Sequence, residues 1–435
     1  MAGGIVAKWF VAALNVVPRN CVGARGSMAT TAIEQVYNYV ADSQFTVAEG
    51  RARLLLQTSG GIASHPRLFE GWISHGRPGA AALLTLGRIA RTRFYTPPAM
   101  VARIVAAADP IATTDGENVR FEVFSPCNGV YARLDLGPSA LDGAFFAVGT
   151  TNVDFGPHIR ELLARVKDDG RIFLSMGPDD IAIATSGGEA VERRVRLPVR
   201  WIKGLAEVQV AQSRMELDME LDRGEAVSFL RSLPTVPSRG SIYLQRIADG
   251  LRISRSPEGT EVGGIERLRV LRDLASMATR LRIYRATSGD PATAWVLDLP
   301  GMRVHAVLSP DRARGFSGEG EVLGQLATHG DGAKQSAVGR LGYDLHEQRF
   351  FARELPFDLA KVEAEQPRLR AARRLVADRA VRFLANGEAV VRSSEVEHRV
   401  RWAEDGPHCT CPWFARYAGR RGPCKHVLAA ELTRA

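Results

Sequence analysis

Three of the chain's five cysteines and two of its nine histidines lie in one stretch of nineteen residues, HCTCPWFARYAGRRGPCKH, at positions 408–426. The pair Cys409 and Cys411 is followed, after twelve residues, by the pair Cys424 and His426. An odd number of cysteines, clustered at one end, does not fit a disulfide framework and is typical of a reducing compartment. The stretch therefore predicts a metal site in a cytoplasmic protein.

The residue types and spacing favour zinc. Structural Zn²⁺ sites take four tetrahedral ligands, and thiolate and imidazole are the preferred donors. Because side chains two apart on a strand point to opposite faces, Cys409 and Cys411 can share an ion only where the chain turns. Pro412 makes such a turn plausible, and Pro423 precedes a helical pattern that places Cys424 and His426 in a first helical turn.

Other chemistries fit less well. The CxC and CxH pairs lack the CxxC spacing of thioredoxin-like redox sites. A catalytic zinc site keeps an open ligand position, whereas four good ligands close it. His408 could replace His426, but its neighbour Cys409 makes that geometry awkward. We predict a closed structural Zn²⁺ site formed by Cys409, Cys411, Cys424 and His426.

The pattern C-x-C-x12-C-x-H, preceded by two strands and followed by a helix, resembles the SWIM zinc finger over about residues 385–435. Trp413, Phe414 and the run GRRGPCKH fit the bacterial form. The resemblance implies a ββα binding module that contacts DNA or other proteins.

The segments FEVFSPCNGVYARLDL, GTTNVDF, VERRVRLPVRWIKGLAEVQ and RGFSGEG also resemble bacterial SWIM-finger proteins of similar length. Such proteins are often encoded beside a MoxR-like AAA ATPase and a von Willebrand A-domain protein, which implies a complex with them.

The basic charge of the chain suggests an anionic partner. The formal net charge is +9 and the pI is about 9.6, so DNA or an acidic protein surface would be attracted. Two clusters of basic residues lie near the cysteines in the sequence. One is on the helix predicted over 368–382, and the other is in the ligand loop, residues 412–425. The candidate contact residues are Arg370, Arg373, Arg374, Arg416, Arg420, Arg421 and Lys425. The alternative for the helix is an ordinary solvated face.

Hydrophobic periodicity predicts a multidomain α+β fold. We expect an extension that is disordered or a mis-assigned start (1–27), a mainly helical region (28–117), an α+β region with an antiparallel sheet (118–235), a second α+β region (236–357) and a basic helix with the finger (358–435). Predicted helices include residues 31–40, 47–59, 79–91, 98–109, 265–285 and 367–384. No stretch is long enough to cross a membrane, since the apolar run at 9–17 is too short.

The second finger strand, EVEHRVRWAE, alternates apolar and charged residues, and we expect His398 on its apolar face to pack in the core. Asp109, Asp135 and Asp154 are expected in loop or capping positions. The stretch THGDGAKQS lacks the glycine spacing of a phosphate loop.

Together these features predict a non-enzymatic adaptor that binds nucleic acid or protein. The alternative is an enzyme with an active site within residues 118–216 that uses the finger for recruitment.

Overall fold

A computed structural model describes most of the chain after residue 43. The described residues are 44–48, 51–55, 67–94, 110–152, 155–195, 197, 199–237, 241–287, 292–311, 314–318, 322–323, 339–354, 364, 366–404, 406–419 and 421–434. The chain divides into two compact units, Met1–Ala63 and Ser64–Ala435. None of the described helices is long and apolar enough to cross a membrane.

The first unit contains an antiparallel hairpin of β1 (Gln44–Ala48) and β2 (Arg51–Leu55). The helix predicted over 47–59 is therefore wrong. Phe45 lies opposite Leu54 and Val47 opposite Ala52, so these apolar residues follow the two-residue period of a strand. The helices predicted at 31–40 and 98–109 lie outside the described residues, but the helix predicted at 79–91 is confirmed by α1 (Gly76–Ile89).

The largest sheet of the second unit has eight antiparallel strands. In spatial order they are β12 (Met215–Asp222), β16 (Arg280–Ala286), β17 (Thr293–Leu299), β18 (Met302–Leu308), β6 (Val130–Leu136), β5 (Val119–Phe124), β4 (Ile111–Thr114) and β8 (Gly149–Asn152). Strand β6 pairs with β18, so this sheet continues across the boundary expected between 118–235 and 236–357.

A second antiparallel sheet has five strands. Its order is β11 (Gly188–Arg193), β10 (Asp180–Thr185), β9 (Ile172–Met176), β3 (Phe69–Ile73) and β7 (Leu141–Phe145). Strand β3 falls within the region expected to be helical, which the structure does not support. Helix α1 contacts β5 and β6 of the larger sheet and also β9 of this one. Helix α2 (Pro157–Ala164) packs on β10 and β11 and confirms the helix that the run HIRELLARVKD predicts at residues 158–168.

Further α-helices and strands lie before the C-terminal part. They are α3 (Val199–Gln212), α4 (Arg223–Ser232), β13 (Ile242–Ile247), β14 (Gly250–Ser254), β15 (Thr260–Val262), α5 (Arg272–Ala275), β19 (Leu341–Asp344) and β20 (Arg349–Ala352). The single helix predicted over 265–285 is wrong at its end, because residues 280–286 form strand β16. There Leu281 and Ile283 are buried while Arg280 and Arg282 form ion pairs with Glu220, which is the alternation of a strand.

One face of the eight-stranded sheet carries a buried cluster of charged side chains. Glu122 accepts two hydrogen bonds of 2.6 Å from Arg353, and Asp135 contacts both Arg133 and His305 at 2.8 and 2.9 Å. Asp135, expected in a loop or cap, is therefore an internal strand residue; Asp109 and Asp154 lie outside the described residues.

The ion pairs control the pKa values of this cluster. Burial opposes ionisation of Glu122 and Asp135, but the arginines more than offset it and hold the pKa of each carboxyl below its usual value. Burial and the Arg133 charge lower the pKa of His305, which favours the neutral ring. Both effects stabilise the charge state found near neutral pH.

We predict that acid destabilises this unit. Carboxyl groups with lowered pKa values lose their stabilising effect as pH falls below about 4.5, and the lowered pKa of His305 makes protonation favour unfolding below about 6.5. The urea midpoint, followed by far-ultraviolet circular dichroism, should decrease from about pH 6.5 downward. In the variant His305→Asn, the part of this decrease between pH 6.5 and 5 should be absent. A urea midpoint that rises on acidification would contradict the charge states assigned to this cluster.

The C-terminal part consists of a helix, a four-stranded antiparallel sheet and two further helices. The elements are α6 (Pro367–Ala377), β21 (Val381–Phe383), β22 (Ala389–Ser393), β23 (Val396–Ala403), β24 (Gly406–Cys409), α7 (Pro412–Tyr417) and α8 (Lys425–Arg434). The predicted hairpin is confirmed by the pairing of β22 with β23 around a two-residue turn at Ser394 (φ 59°) and Glu395. The predicted helix over 367–384 is too long: Arg379 has a φ of 53°, and residues 381–383 join the sheet.

Candidate metal centre

The four predicted ligands converge at one buried point. Single donor atoms of Cys409, Cys411, Cys424 and His426 all lie within 4.8 Å of one another. Nδ1 of His426 is 3.8 Å from Sγ of Cys409 and 3.9 Å from Sγ of Cys424. Zn–S and Zn–N bonds of about 2.3 and 2.0–2.1 Å in a tetrahedron require sulfur–nitrogen distances of about 3.6 Å. The donor set and its spacing therefore fit zinc.

Two helix starts hold two of the sulfurs. Cys411 is the N-cap of α7, and its Sγ accepts a hydrogen bond of 3.4 Å from the backbone N–H of Phe414. Cys424 immediately precedes α8, and its Sγ accepts one of 3.4 Å from the N–H of Val427. Backbone N–H groups at a helix N-terminus stabilise thiolates. The turn between Cys409, at the end of β24, and α7 brings the CxC sulfurs to the same side.

The cysteines share one hydrogen-bond network. The Cys409 thiol lowers the pKa of Cys424 to about 4, and burial only partly opposes this effect. The same hydrogen bond, together with burial, raises the pKa of Cys409, and burial raises that of Cys411. Because zinc binds thiolates, ion binding would release protons from Cys409 and Cys411.

The ligand histidine borders a cleft. The ring of His398 lies 4.2 Å from that of His426, centroid to centroid, so His398 is a half-buried neighbour of a ligand rather than the core histidine expected. Nε2 of His426 is buried and has no hydrogen-bond partner among the described residues. His426 lines a cleft of about 340 Å³ together with Arg368, Trp413 and Lys425. His408 is outside the donor group, and its ring contacts Phe414.

Arg368 links the basic helix to the ligand loop, a role that the sequence did not predict. Its guanidinium group donates hydrogen bonds of 2.8 and 2.9 Å to the backbone carbonyls of Arg421 and Pro423 and lies 4.6 Å from the ring centroid of Trp413. These contacts fix the residues immediately before Cys424. The only indication in the sequence was the arginine-rich pattern of this helix. That pattern does not show which arginine makes internal contacts and which ones are exposed.

We predict that Arg368→Ala weakens zinc binding about tenfold, as is typical when residues that orient metal ligands are lost. Arg374→Ala on the same helix is the matched control, since Arg374 is exposed. Competition for zinc with a chromophoric chelator measures both variants. Equal affinities of Arg368→Ala and Arg374→Ala would show that Arg368 does not support the site.

The other predicted contact residues have different environments. Arg370, Arg373, Arg374 and Arg416 are exposed, Arg421 and Lys425 are half-buried, and Arg420 lies outside the described residues. The guanidinium group of Arg421 lies over the rings of Trp413 and Tyr417, at 5.3 and 4.9 Å. The structure thus brings Arg421 and Lys425 close to the ligands, while the exposed arginines of α6 lie outside the cleft.

Comparison with known proteins identifies the C-terminal segment. Residues 398–435 match the family model of the SWIM zinc finger, so this part of the chain is a SWIM zinc finger. No curated protein matches the chain.

The solved structures that are similar to the chain include the following two. One is the crystal structure of Proliferating Cellular Nuclear Antigen from Entamoeba histolytica, with 11% identity, a TM-score of 0.36 and coverage of 56% of this chain and 99% of that chain. The other is the PCNA2-PCNA3 complex from Sulfolobus tokodaii, with 9% identity, a TM-score of 0.40 and the same two coverages. Similarity at these scores carries no functional argument. Neither the structure nor these comparisons support the expected complex with a MoxR-like ATPase and a von Willebrand A-domain protein.

Proposed function

We propose that this protein is a non-enzymatic adaptor whose C-terminal finger binds an anionic macromolecule, either nucleic acid or an acidic protein surface. The observation that carries the proposal is the convergence of Cys409, Cys411, Cys424 and His426, whose donor atoms lie within 4.8 Å of one another. Such a group holds zinc for structure and leaves the surrounding surface free to bind.

Zinc has a structural role in this proposal. Three thiolates and one imidazole complete a tetrahedron, so no ligand position remains for a substrate or an activated water. Cys411 and Cys424 connect the ion to the starts of α7 and α8, and Cys409 connects it to β24. The ion would therefore tie the sheet to both helices.

The charge around the site supports an anionic partner. Three thiolates exceed the charge of one Zn²⁺ ion by one, and Arg416, Arg421 and Lys425 lie on the segments between or beside the ligands. The chain as a whole is also basic, with a formal net charge of +9. Electrostatic attraction of this kind gives affinity that depends on salt rather than on sequence.

The enzyme alternative has less support. The strands of residues 118–216 bring together the buried charged side chains of Arg120, Glu122, Arg133 and Asp135. Arg120 and Arg133 form ion pairs with Asp135, and Glu122 forms one with Arg353. These ion pairs explain the buried charges as part of the interior of the sheet, without a catalytic role.

A zinc-dependence experiment tests the proposed function. The full chain, Cys424→Ser and the control Cys127→Ser are titrated against single-stranded DNA, duplex DNA and a poly-glutamate peptide at low salt. We expect the wild type and Cys127→Ser to bind at least one of these polyanions and Cys424→Ser to lose that binding. Equal binding by all three proteins, or no binding by the wild type to any probe, would refute the proposal.

A further inference from the structure

The finger sheet has two very different faces. Val391, Val400 and Cys409 occupy one face, are buried and belong to the same core cluster as α8. Because side chains alternate along a strand, the residues next to them point the other way. Four arginines occupy that opposite face, and all of them are exposed: Arg382, Arg392, Arg399 and Arg401.

The strand register places these arginines side by side. Arg382 on β21 lies opposite Val390 on β22, and Val390 lies opposite Arg399 on β23. Val390 is only 6% exposed although it points away from the finger core. Long basic side chains that flank an apolar residue can cover it with their aliphatic stems while their charges stay in water. Arg401, two residues along β23, extends the row.

The charge of this surface, which we call the arginine face, is largely uncompensated. Glu397, opposite Arg392, is the acidic residue that the register places on it. Among the described residues, no carboxylate forms an ion pair with any of the four guanidinium groups. A basic surface without internal ion pairs is ready to neutralise an external anion.

We propose that the arginine face binds the phosphate backbone of nucleic acid. Protein interfaces depend on buried aromatic or apolar anchors, and on this face the described residues expose no large apolar side chain. Backbone recognition needs no such anchor, because phosphate contacts with arginine supply the affinity.

The spacing agrees with this partner. Alternate residues of a strand, such as Arg399 and Arg401, are about 6.8 Å apart, and one nucleic-acid strand places charges about every 3.4 Å along its axis. Two arginines on β23 therefore span about two nucleotides. The inference rests on the proposed function because zinc holds the sheet that carries the face.

The test compares two variants with four arginine changes each. R382Q/R392Q/R399Q/R401Q removes the arginine face, while R165Q/R193Q/R231Q/R255Q removes four exposed arginines outside the finger. Binding of labelled single-stranded and duplex DNA is measured from about 50 to 200 mM salt. We expect the face variant to bind about 10- to 100-fold more weakly and its log–log salt slope to be less steep by up to about 3–4. The control should retain most of the affinity.

A third variant, R382K/R392K/R399K/R401K, keeps the charges and should keep the salt slope. Zinc content confirms that each finger is folded, and a preference for either form of DNA is compatible with backbone binding. Unchanged slopes in the face variant, or equal losses in face and control variants, would overturn the inference while zinc-dependent binding remained. Zinc-dependent binding of poly-glutamate without binding of either DNA would also overturn it and leave the proposed function standing.

Discussion

Cys409→Ser is expected to lose bound zinc and to unfold the C-terminal segment while the large sheets remain intact. Serine does not replace a buried thiolate ligand, and apparent zinc-binding energies of such sites are about 10–16 kcal/mol. The apolar cluster around the ligands is small and includes the three cysteines themselves, so it cannot compensate for that loss. Elemental analysis should show zinc falling from about one per chain to near zero, and limited proteolysis should cut selectively within about 385–435.

Cys127→Ser is the matched control, because Cys127 is a free cysteine far from the ligands in sequence and its Sγ contacts Ser125 at 3.5 Å. It should retain zinc and protease resistance. If Cys409→Ser keeps one tightly bound zinc and a normal proteolysis pattern, the ligand assignment is wrong.

Arg353→Met is expected to reduce the free energy of unfolding of the second unit by about 3–5 kcal/mol. The side chains of Arg353 and Glu122 are 2% and 0% exposed, and Arg353 donates two hydrogen bonds to this carboxylate. Methionine fills a similar volume but leaves Glu122 buried with Tyr131 as its remaining side-chain donor. Urea denaturation at neutral pH measures the change.

Two variants separate lost pairing from lost packing. Arg77→Met breaks an ion pair with Asp168 in which the two side chains are 57% and 77% exposed, respectively. It should reduce the free energy of unfolding by less than about 1 kcal/mol. The double variant Glu122→Leu/Arg353→Met removes both charges and should be more stable than Arg353→Met alone. A small effect of Arg353→Met, similar to that of Arg77→Met, would show that Glu122 finds another partner or becomes protonated without cost.

The finger was the most predictable part of the fold because its signals are local. The ligand spacing, the prolines before two of the helices and the alternation in EVEHRVRWAE each restrict a few residues, and they agree. The runs VRFEVFS and GVYARLDL also predict strands at β5 and β6, since they are short, rich in β-branched or aromatic residues and bounded by turn residues.

The errors arose where a helical pattern and a strand pattern overlap. Residues 47–55 and 280–286 contain apolar residues that fit either period, and their cross-strand partners decide the outcome. The helix that begins at Pro367 is shorter than predicted because Arg379 adopts a left-handed backbone conformation. The sequence pattern does not predict that conformation.

The contacts that matter most for function and stability are non-local. Arg353 and Glu122 are 231 residues apart, and Arg368 reaches the carbonyls of Arg421 and Pro423 through tertiary packing. The arginine face depends on the register of three strands. None of these relations follows from composition or from spacing along the chain.

The coordination of zinc in the purified full-length chain is the most direct test of the account. X-ray absorption at the zinc edge should show one ion with three sulfur ligands at about 2.3 Å and one imidazole nitrogen at about 2.0–2.1 Å. A chain that folds without zinc, or an ion with oxygen ligands in place of sulfur, would contradict the structural zinc site on which the proposed adaptor depends.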